Sequence, residues 1–168
     1  MNASAQTLES IAAEVRGRII EYSSRNRIPH LACSLSCTDM LVALYCQEMH
    51  ISPELASSPD RDRFILSKGH AAAALYAVLT QIGFFTEEEF FSFCTDGSPA
   101  FEHPSLSSLP GIEASTGSLG HGLPIGLGIA LAAKLQKKTH NVYAILGDGE
   151  CNEGSVWEAA MFAPAKGL

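Results

Sequence analysis

Apolar residues recur every three or four positions near the start of the chain, which is the period of an amphipathic helix. This spacing predicts a helix over about residues 7 to 25 with one buried face, and Pro29 prevents its continuation. A second short-range pattern, a run of small residues and good helix formers from Ala71 to Leu79, predicts a helix packed closely against its neighbours. The buried face of the first helix carries Leu8, Ile11, Ala12, Val15, Ile19 and Tyr22.

Residues that cap helices mark further helix starts. Ser36 is a candidate N-cap for a helix with Met40, Leu41, Leu44 and Tyr45 on one face. Thr86 and Glu89 have the spacing of a capping box, with Phe85 and Phe90 placed as a hydrophobic staple. This combination predicts a helix over about residues 87 to 94. Ser155 and Glu158 have the spacing of a second capping box, ahead of a helix that carries Trp157, Met161 and Phe162.

Two short apolar runs are candidate strands, and glycine- and proline-rich segments separate the helices. Phe64–Leu66 and Val142–Leu146 are apolar throughout, which is typical of buried parallel strands. Residues 96–110 contain three prolines, a glycine and several serines, and are predicted to form a long loop. Gly117–Gly122 is predicted to be a glycine-rich loop that leads into a tightly packed helix containing Ala130–Ala133.

The predicted strands and helices together indicate an α/β domain over residues 1–168. Its parallel sheet is flanked by helices and is incomplete. Two strands against roughly six helices make a marginal sheet, because an apolar strand needs neighbours and cover on both faces. We therefore expect either a piece of a longer polypeptide or a subunit that completes its sheet with a partner.

Composition excludes several classes of function. The formal net charge is −7, and the longest basic cluster is Lys137-Lys138, so nucleic acid is not an expected partner. No apolar run reaches the length of about 18 residues that a membrane span needs, and the N-terminus lacks a signal-peptide pattern. The five cysteines lie in or beside apolar stretches, and no His or Cys pair follows Cys33 and Cys37 at zinc-site spacing. A cytoplasmic protein with reduced thiols is expected.

Candidate chemistry is concentrated in loops. Asp148 lies between two glycines where the second strand turns into a helix, the position at which α/β proteins bind ligands and a carboxylate can hold Mg²⁺. An ordinary Asp-Gly turn is the alternative. Four histidines lie in loops or at helix starts, where they can transfer protons near neutral pH, and these are His30, His70, His103 and His121. His50 and His140 are assigned to solvent.

Three separated motifs, in order, closely resemble the N-terminal, diphosphate-binding part of transketolases. They are Arg61–His70, Ser115–Gly122 and Gly147–Glu150 with Glu153-Gly154 and Trp157–Ala160. The resemblance spans about residues 16 to 166 and implies thiamine diphosphate held through Mg²⁺, with transfer of a two-carbon ketol unit from a ketose to an aldose.

The resemblance also implies roles for individual residues. Asp148 matches a Mg²⁺ ligand, and Gly149 matches a backbone contact to the diphosphate. Gly117, Ser118 and Leu119 match a loop that packs against the cofactor. His121 adjoins this loop. His70 matches a histidine near the diphosphate, and His30 and His103 match histidines that hold sugar hydroxyls and move protons. Glu153 matches an acidic residue near the interface between subunits.

Some positions depart from the family pattern. Pro29 and Ala32 stand where glycines are usual, His121 stands where glutamine is frequent, and Pro164 lies inside the last predicted helix. The family's second metal-binding residue, an asparagine, and the glutamate that activates the aminopyrimidine ring lie in later sequence. We therefore expect the chain to be inactive by itself and to act with a C-terminal transketolase subunit or the remaining polypeptide. The expected assembly is a dimer or hetero-oligomer, and the expected substrates are sugars, sugar phosphates foremost.

Two other interpretations stay open. One is a component of a different thiamine enzyme, either a deoxyxylulose-phosphate synthase or a 2-oxo acid dehydrogenase. The other is a non-catalytic scaffold that kept the fold.

Overall fold

The computed structural model describes residues 5–106 and 108–168, so Ser107 of the predicted loop lies outside the described residues. In chain order the helices and strands are α1 (Ala5–Asn26), α2 (Leu31–Ala43), β1 (Arg63–Leu66), α3 (Ala72–Gln81), α4 (Glu87–Phe91), α5 (Gly122–Leu135), β2 (Val142–Ile145) and α6 (Gly154–Ala165). Short helical turns adjoin them at Leu44–Glu48, Pro53–Leu55, Gly69–Ala71 and Gly149–Asn152.

The sheet described in the structure consists of β1 and β2, paired in parallel. The register runs from Arg63 opposite Val142 to Leu66 opposite Ile145. Both predicted strands are therefore confirmed, as is the helix-rich α/β character. Because the pairing is parallel, the segments that follow the two strands leave the sheet at the same edge.

A buried aspartate fixes the other end of the sheet. Asp62 accepts hydrogen bonds from the backbone N–H groups of His50 (2.8 Å) and Asn141 (2.7 Å), and Arg63 N donates to Asn141 O (3.0 Å). Arg61 beside it is buried and forms an ion pair with Glu113. The Arg-Asp-Arg part of the first motif thus sets where the two strands begin.

The core lies where α1, α2 and α3 pack against one another. Every residue from Ala72 to Thr80 of α3 is buried, as expected for a helix that is apolar all round. The predicted stripe of α1 faces this core, with Val15, Ile19 and Tyr22 fully buried. The predictions for α1 and α3 are confirmed.

Helix α2 begins earlier than the sequence pattern predicts. It starts at Leu31, preceded by His30 in the left-handed region (φ 63°), and Ser36 lies inside the helix. The Ser36 hydroxyl donates to the carbonyl of Cys33 (2.9 Å), a local bond that a serine makes within a helix instead of capping one. The prediction that Ser36 caps the helix is wrong.

The capping box at Thr86 is confirmed. The Thr86 hydroxyl accepts from Glu89 N (3.1 Å), and the Glu89 carboxylate accepts from Thr86 N (2.7 Å). Helix α4 ends at Phe91, short of residue 94. Cys94 itself adopts φ 56°, and its N–H donates to Ala100 O (3.1 Å), so the predicted helix cannot include it. The described part of 96–110 contains neither helix nor strand, as predicted.

The second predicted capping box is wrong. Helix α6 already begins at Gly154, and the Ser155 hydroxyl donates across to the carbonyl of Gly120 (2.7 Å). Pro164 is accommodated because it lies in the last turn, one residue before the helix ends at Ala165.

All five cysteines are free thiols, as predicted. Across residues 5–106 and 108–168, the structure contains no helix with the length and apolarity needed to cross a membrane.

Candidate functional site

The two strands bring the first and third sequence motifs together. Ser67 and Lys68 follow β1, and Gly147 and Asp148 follow β2 at the same edge of the sheet. A cavity of about 320 Å³ opens there, and its lining includes Lys68, His70, Leu119, Asp148, Gly149 and Glu150. Residues from all three motifs thus share one concave site, the place where α/β proteins bind ligands.

The carboxylate of Glu150 joins these motifs. It is 2% exposed, accepts a hydrogen bond from the Ser67 hydroxyl, and accepts from the backbone N–H groups of Gly120 (2.9 Å) and Gly147 (3.0 Å). One side chain therefore fixes the end of β1, the end of β2 and the glycine-rich loop relative to one another. Sequence reasoning did not assign a role to Glu150, although its position directly after the Asp-Gly pair was a signal.

One glycine of the first motif and one of the second allow the chain segments to approach closely. A Cβ on Gly69 would lie 2.7 Å from Thr116 Oγ1 and 2.9 Å from Gly117 N. A Cβ on Gly122, the first residue of α5, would overlap Ser67, coming within 2.5 Å of its Cα. Larger side chains at these two positions would push the glycine-rich loop and α5 away from the end of β1.

Three of the four predicted histidines lie together. The ring centroids of His30 and His70 are 5.1 Å apart, and the His103 ring packs against Gly117, where a Cβ would meet it at 3.2 Å. The pKa of His70 is lowered from its ordinary value, mainly by burial and further by the nearby His30, Lys68 and His103, with an opposing effect of Glu150. His70 is therefore neutral at pH 7 and able to accept a proton or a hydrogen bond.

Asp148 is exposed and precedes the helical turn Gly149–Asn152. A Cβ on Gly149 would meet nothing within 4 Å, so the space beside the carboxylate is open to a ligand. No three His, Cys, Asp or Glu side chains of the described residues are grouped to hold a metal ion. A divalent cation at Asp148 would thus take most of its oxygen ligands from a bound anion, water or another part of the protein, which suits Mg²⁺.

Lys68, which sequence reasoning also left without a role, is buried at the wall of this cavity. Its ammonium donates to the carbonyl of Cys33 (3.1 Å) and to the Ser36 hydroxyl (3.3 Å). Both acceptors belong to α2, so the lysine also connects that helix to the end of β1.

The sequence model of the family described as "Transketolase, thiamine diphosphate binding domain" matches residues 9–168. The chain belongs to this family. The resemblance seen in the three motifs is thereby confirmed, and the chain is a thiamine-diphosphate-binding domain.

Relatives of this transketolase domain include separate subunits. An apulose-4-phosphate transketolase subunit from Phocaeicola vulgatus is 42% identical over 156 residues, which are 93% of this chain and 55% of that protein. The 6-deoxy-6-sulfo-D-fructose transketolase subunit SqwG of Clostridium sp. strain MSTE9 is 38% identical over 161 residues, covering 96% of this chain and 58% of that protein. The chain thus spans little more than half the length of these curated relatives.

A solved structure has the same fold over the described part of the chain. Transketolase from Campylobacter jejuni superimposes with a TM-score of 0.89 at 30% identity, covering 96% of this chain and 26% of that one. Human transketolase is 36% identical over 159 residues, 94% of this chain and 25% of that protein.

The remaining predicted site residues of the transketolase domain lie in the glycine-rich loop. Leu119 is on the cavity wall, whereas Gly117 and Ser118 are exposed beside it and are not among the lining residues. His121 faces a neighbouring groove with Glu158 and Phe162, and its Nδ1 lies 3.0 Å from the carbonyl of Leu119. The structure therefore does not bring His121 to Asp148, and its assignment to cofactor binding stays a prediction.

Proposed function

We propose that this chain supplies the diphosphate-binding half of a two-component transketolase, which transfers a two-carbon ketol unit from a ketose to an aldose. The observation that carries the proposal is the meeting of Lys68, His70 and Asp148 around one cavity at the edge where both parallel strands end. Relatives named as transketolase subunits, of which this chain covers little more than half, support the two-component arrangement.

In this proposal the chain binds the polar tail of thiamine diphosphate. Asp148 provides a carboxylate oxygen for Mg²⁺, and the open space at Gly149 lets phosphate oxygens approach the backbone. Leu119 gives the cavity an apolar wall. Gly117, Ser118 and His121 belong to the same segment but do not line this cavity, and we assign them to the loop that packs against the cofactor. When bound, the cofactor supplies the nucleophilic carbon and the electron sink for carbon–carbon bond cleavage.

The histidines act on the sugar. His70, neutral at pH 7, is suited to accept a hydrogen bond or proton from a substrate hydroxyl. His30 and His103 are placed to share that task, because the ring centroid of His30 lies 5.1 Å from that of His70 and the ring of His103 packs against Gly117. The close approach of Gly69 to Thr116 and Gly117 holds these groups in a fixed geometry and excludes water between the segments.

The proposed substrates are ketoses that carry an anionic group away from the carbonyl. The relatives are named for apulose 4-phosphate and for 6-deoxy-6-sulfo-D-fructose, a phosphate and a sulfonate. The partner supplies the aminopyrimidine-binding domain and its activating glutamate, so the isolated chain is expected to be inactive.

The test is to purify the chain together with a candidate C-terminal transketolase partner and to assay ketol transfer from ketose phosphates to an aldose. Activity that requires both proteins, thiamine diphosphate and Mg²⁺ is expected. Asp148→Ala should abolish it, whereas Asp96→Ala, at an exposed loop position, should not. A stable complex without activity would favour a scaffold, and turnover of pyruvate instead of a ketose would favour another class of thiamine enzyme.

A further inference from the structure

Three side chains hold the backbone on either side of Gly120. The peptide group between Leu119 and Gly120 is held at both ends. Its N–H donates to the Glu150 carboxylate (2.9 Å), and its carbonyl oxygen lies 3.0 Å from His121 Nδ1. A carbonyl oxygen only accepts, so Nδ1 carries the proton in this contact. The next carbonyl, Gly120 O, accepts from the Ser155 hydroxyl (2.7 Å). The orientation of two consecutive peptide groups is therefore fixed.

Gly120 also brings the glycine-rich loop into direct contact with the start of α6. Its φ of 81° lies in the left-handed region that favours glycine. A Cβ at this position would lie 2.6 Å from the Cβ of Glu153 and 2.7 Å from Ser155 Oγ. Glu153 directly precedes α6, and Ser155 lies in its first turn. The loop therefore takes its position from α6, through a close contact and a hydrogen bond.

Leu119 is the residue whose position these bonds determine. It is the largest apolar side chain in the lining of the candidate cavity, and it is 38% exposed. The side chain leaves the backbone directly before the held peptide group, so a rotation of that group would swing it off the cavity wall. An apolar ligand surface that covers Leu119 gains free energy only while the side chain stays on that wall.

Ser155 and His121 lie behind this wall. Neither side chain lines the cavity, and both face the neighbouring groove that also contains Phe162. Their effect on a ligand in the cavity is therefore exerted through the backbone of the loop.

We propose that Ser155 and His121 are positioning residues, which hold Leu119 against the apolar part of the cofactor by fixing the peptide groups on either side of Gly120. This inference rests on the proposed function and deepens it, because it gives a role to two side chains that do not touch the cofactor. It also makes the cavity wall depend on α6, since Ser155 belongs to that helix.

The experiment measures the affinity of the complex between this chain and its C-terminal partner for thiamine diphosphate, with Mg²⁺ present, by titration calorimetry. Ser155→Ala should weaken binding about fivefold, because a neutral hydrogen bond is lost, and His121→Ala should have an effect of similar size. Ser155→Thr keeps the hydroxyl donor, and His121→Asn has a side-chain amide that can donate in place of Nδ1, so both should keep most of the affinity. At saturating cofactor the KM for the ketose should not change, since neither residue acts on the sugar.

Ser92→Ala is the matched control. Ser92 is half-buried like Ser155, and its hydroxyl also donates to a carbonyl, that of Glu89 (2.8 Å), but it lies at the end of α4. Both alanine variants should lower the thermal unfolding midpoint of the chain by a similar amount, while only Ser155→Ala weakens cofactor binding. Exchange of the Gly120 amide hydrogen, followed by nuclear magnetic resonance, should become about fivefold faster in Ser155→Ala and stay unchanged in Ser92→Ala.

The outcomes separate this inference from the proposed function. A loss of cofactor affinity in Ser155→Ala that is no greater than in Ser92→Ala overturns the inference, even where the wild-type complex transfers ketol groups. An unchanged exchange rate at Gly120 in Ser155→Ala overturns it as well. Cofactor binding that depends on Ser155 and His121, together with an inactive complex, supports the inference and rejects the proposed reaction. A wild-type complex that binds no thiamine diphosphate overturns both.

Discussion

Glu150 is the residue on which the geometry of the site depends most. Its two oxygens accept three hydrogen bonds from three different segments; the donors of Ser67 and Gly120 are buried, and that of Gly147 is half-buried. Removal of the carboxylate leaves buried donors without acceptors, which costs about 1–3 kcal/mol for each group. Removing the Glu150 carboxylate should therefore destabilise the fold more than an ordinary surface substitution does.

We predict that Glu150→Ala lowers the free energy of unfolding by at least about 2 kcal/mol, and Glu150→Gln by less, since the amide keeps one acceptor oxygen. Urea denaturation followed by circular dichroism measures both. Glu158→Ala serves as the control, because that carboxylate is exposed on α6 and should change the midpoint little. Equal midpoints for Glu150→Ala and Glu158→Ala would contradict the role assigned to Glu150.

The protonation of His70 makes the stability of the fold depend on pH. Its pKa lies below the ordinary 6.5, first because of burial and then because of His30, Lys68 and His103. As the pH falls below 6.5, the unfolded chain binds a proton that the folded chain resists, so the folded state loses stability. Above pH 6.5 His70 is neutral in both the folded and the unfolded chain, so this loss of stability does not occur.

Nuclear magnetic resonance titration of the histidine ring protons, assigned with His70→Gln, measures this pKa directly. Lys68→Met should raise the pKa of His70 towards 6.5, because a nearby positive charge is removed. An unchanged value would show that the charge of Lys68 does not contribute to the lowered pKa of His70.

Sequence reasoning identified the residues of the site that belong to recognisable motifs, and missed those that depend on burial. Asp148 and His70 follow predicted strands, so their meeting at one sheet edge was foreseeable. Lys68 and Glu150 are charged, and nothing in the local pattern indicates that either side chain is buried. That property arises only when α2, both strand ends and the glycine-rich loop are assembled.

At the scale of elements, the first turn of α5 is packed directly on the end of β1. Gly122 has no room for a Cβ because of Ser67, whereas Gly128 in the same helix has nothing within 4 Å. We predict that Gly122→Ala destabilises the fold by at least about 2 kcal/mol through overpacking, and also weakens cofactor binding by moving the glycine-rich loop.

Gly128→Ala is the matched control for this change, since it introduces the same methyl group into the same helix at an exposed position. It should stabilise the protein by about 0.5–1 kcal/mol, because alanine has the higher helix propensity. Opposite shifts of the two thermal midpoints are expected. Destabilisation of similar size at both positions would mean that helix propensity, and not contact with Ser67, decides the outcome.

Capping residues illustrate where local prediction succeeds and where it fails. The box at Thr86 and Glu89 forms as expected because both partners lie within the same four residues and are exposed to solvent. Ser155 has the same kind of spacing with Glu158, but its hydroxyl binds the distant Gly120 carbonyl instead. Ser36, in contrast, lies inside α2, where its hydroxyl donates to the nearby Cys33 carbonyl and accepts from Lys68. At Ser155 a tertiary contact thus overrides the local signal, because the start of α6 is packed against another segment.

Within the described residues, the sheet has a neighbouring strand on only one edge of β2. Pairing with β1 occupies one edge of β2, and no other strand of the described residues pairs with its second edge. Helix α6, which follows β2, exposes three large apolar side chains, namely Trp157, Met161 and Phe162. The apolar pattern of β2 had predicted an incomplete sheet, since a strand without polar positions requires neighbours on both sides. Sequence could not reveal which face of α6 would be left uncovered, because that depends on how α5 and α6 pack.

The exposed apolar surface of α6 is a candidate interface with the rest of a transketolase. Trp157 is the only tryptophan in the chain and is 60% exposed, so its fluorescence reports on this surface alone. When the C-terminal subunit or the remaining part of a transketolase covers the surface, the emission should shift to shorter wavelength, because the indole leaves water. Met161→Lys should weaken the complex, whereas Met40→Lys, at an equally apolar exposed position on α2, should not. A complex that forms with unchanged Trp157 emission and is insensitive to Met161→Lys would place the interface elsewhere on the domain.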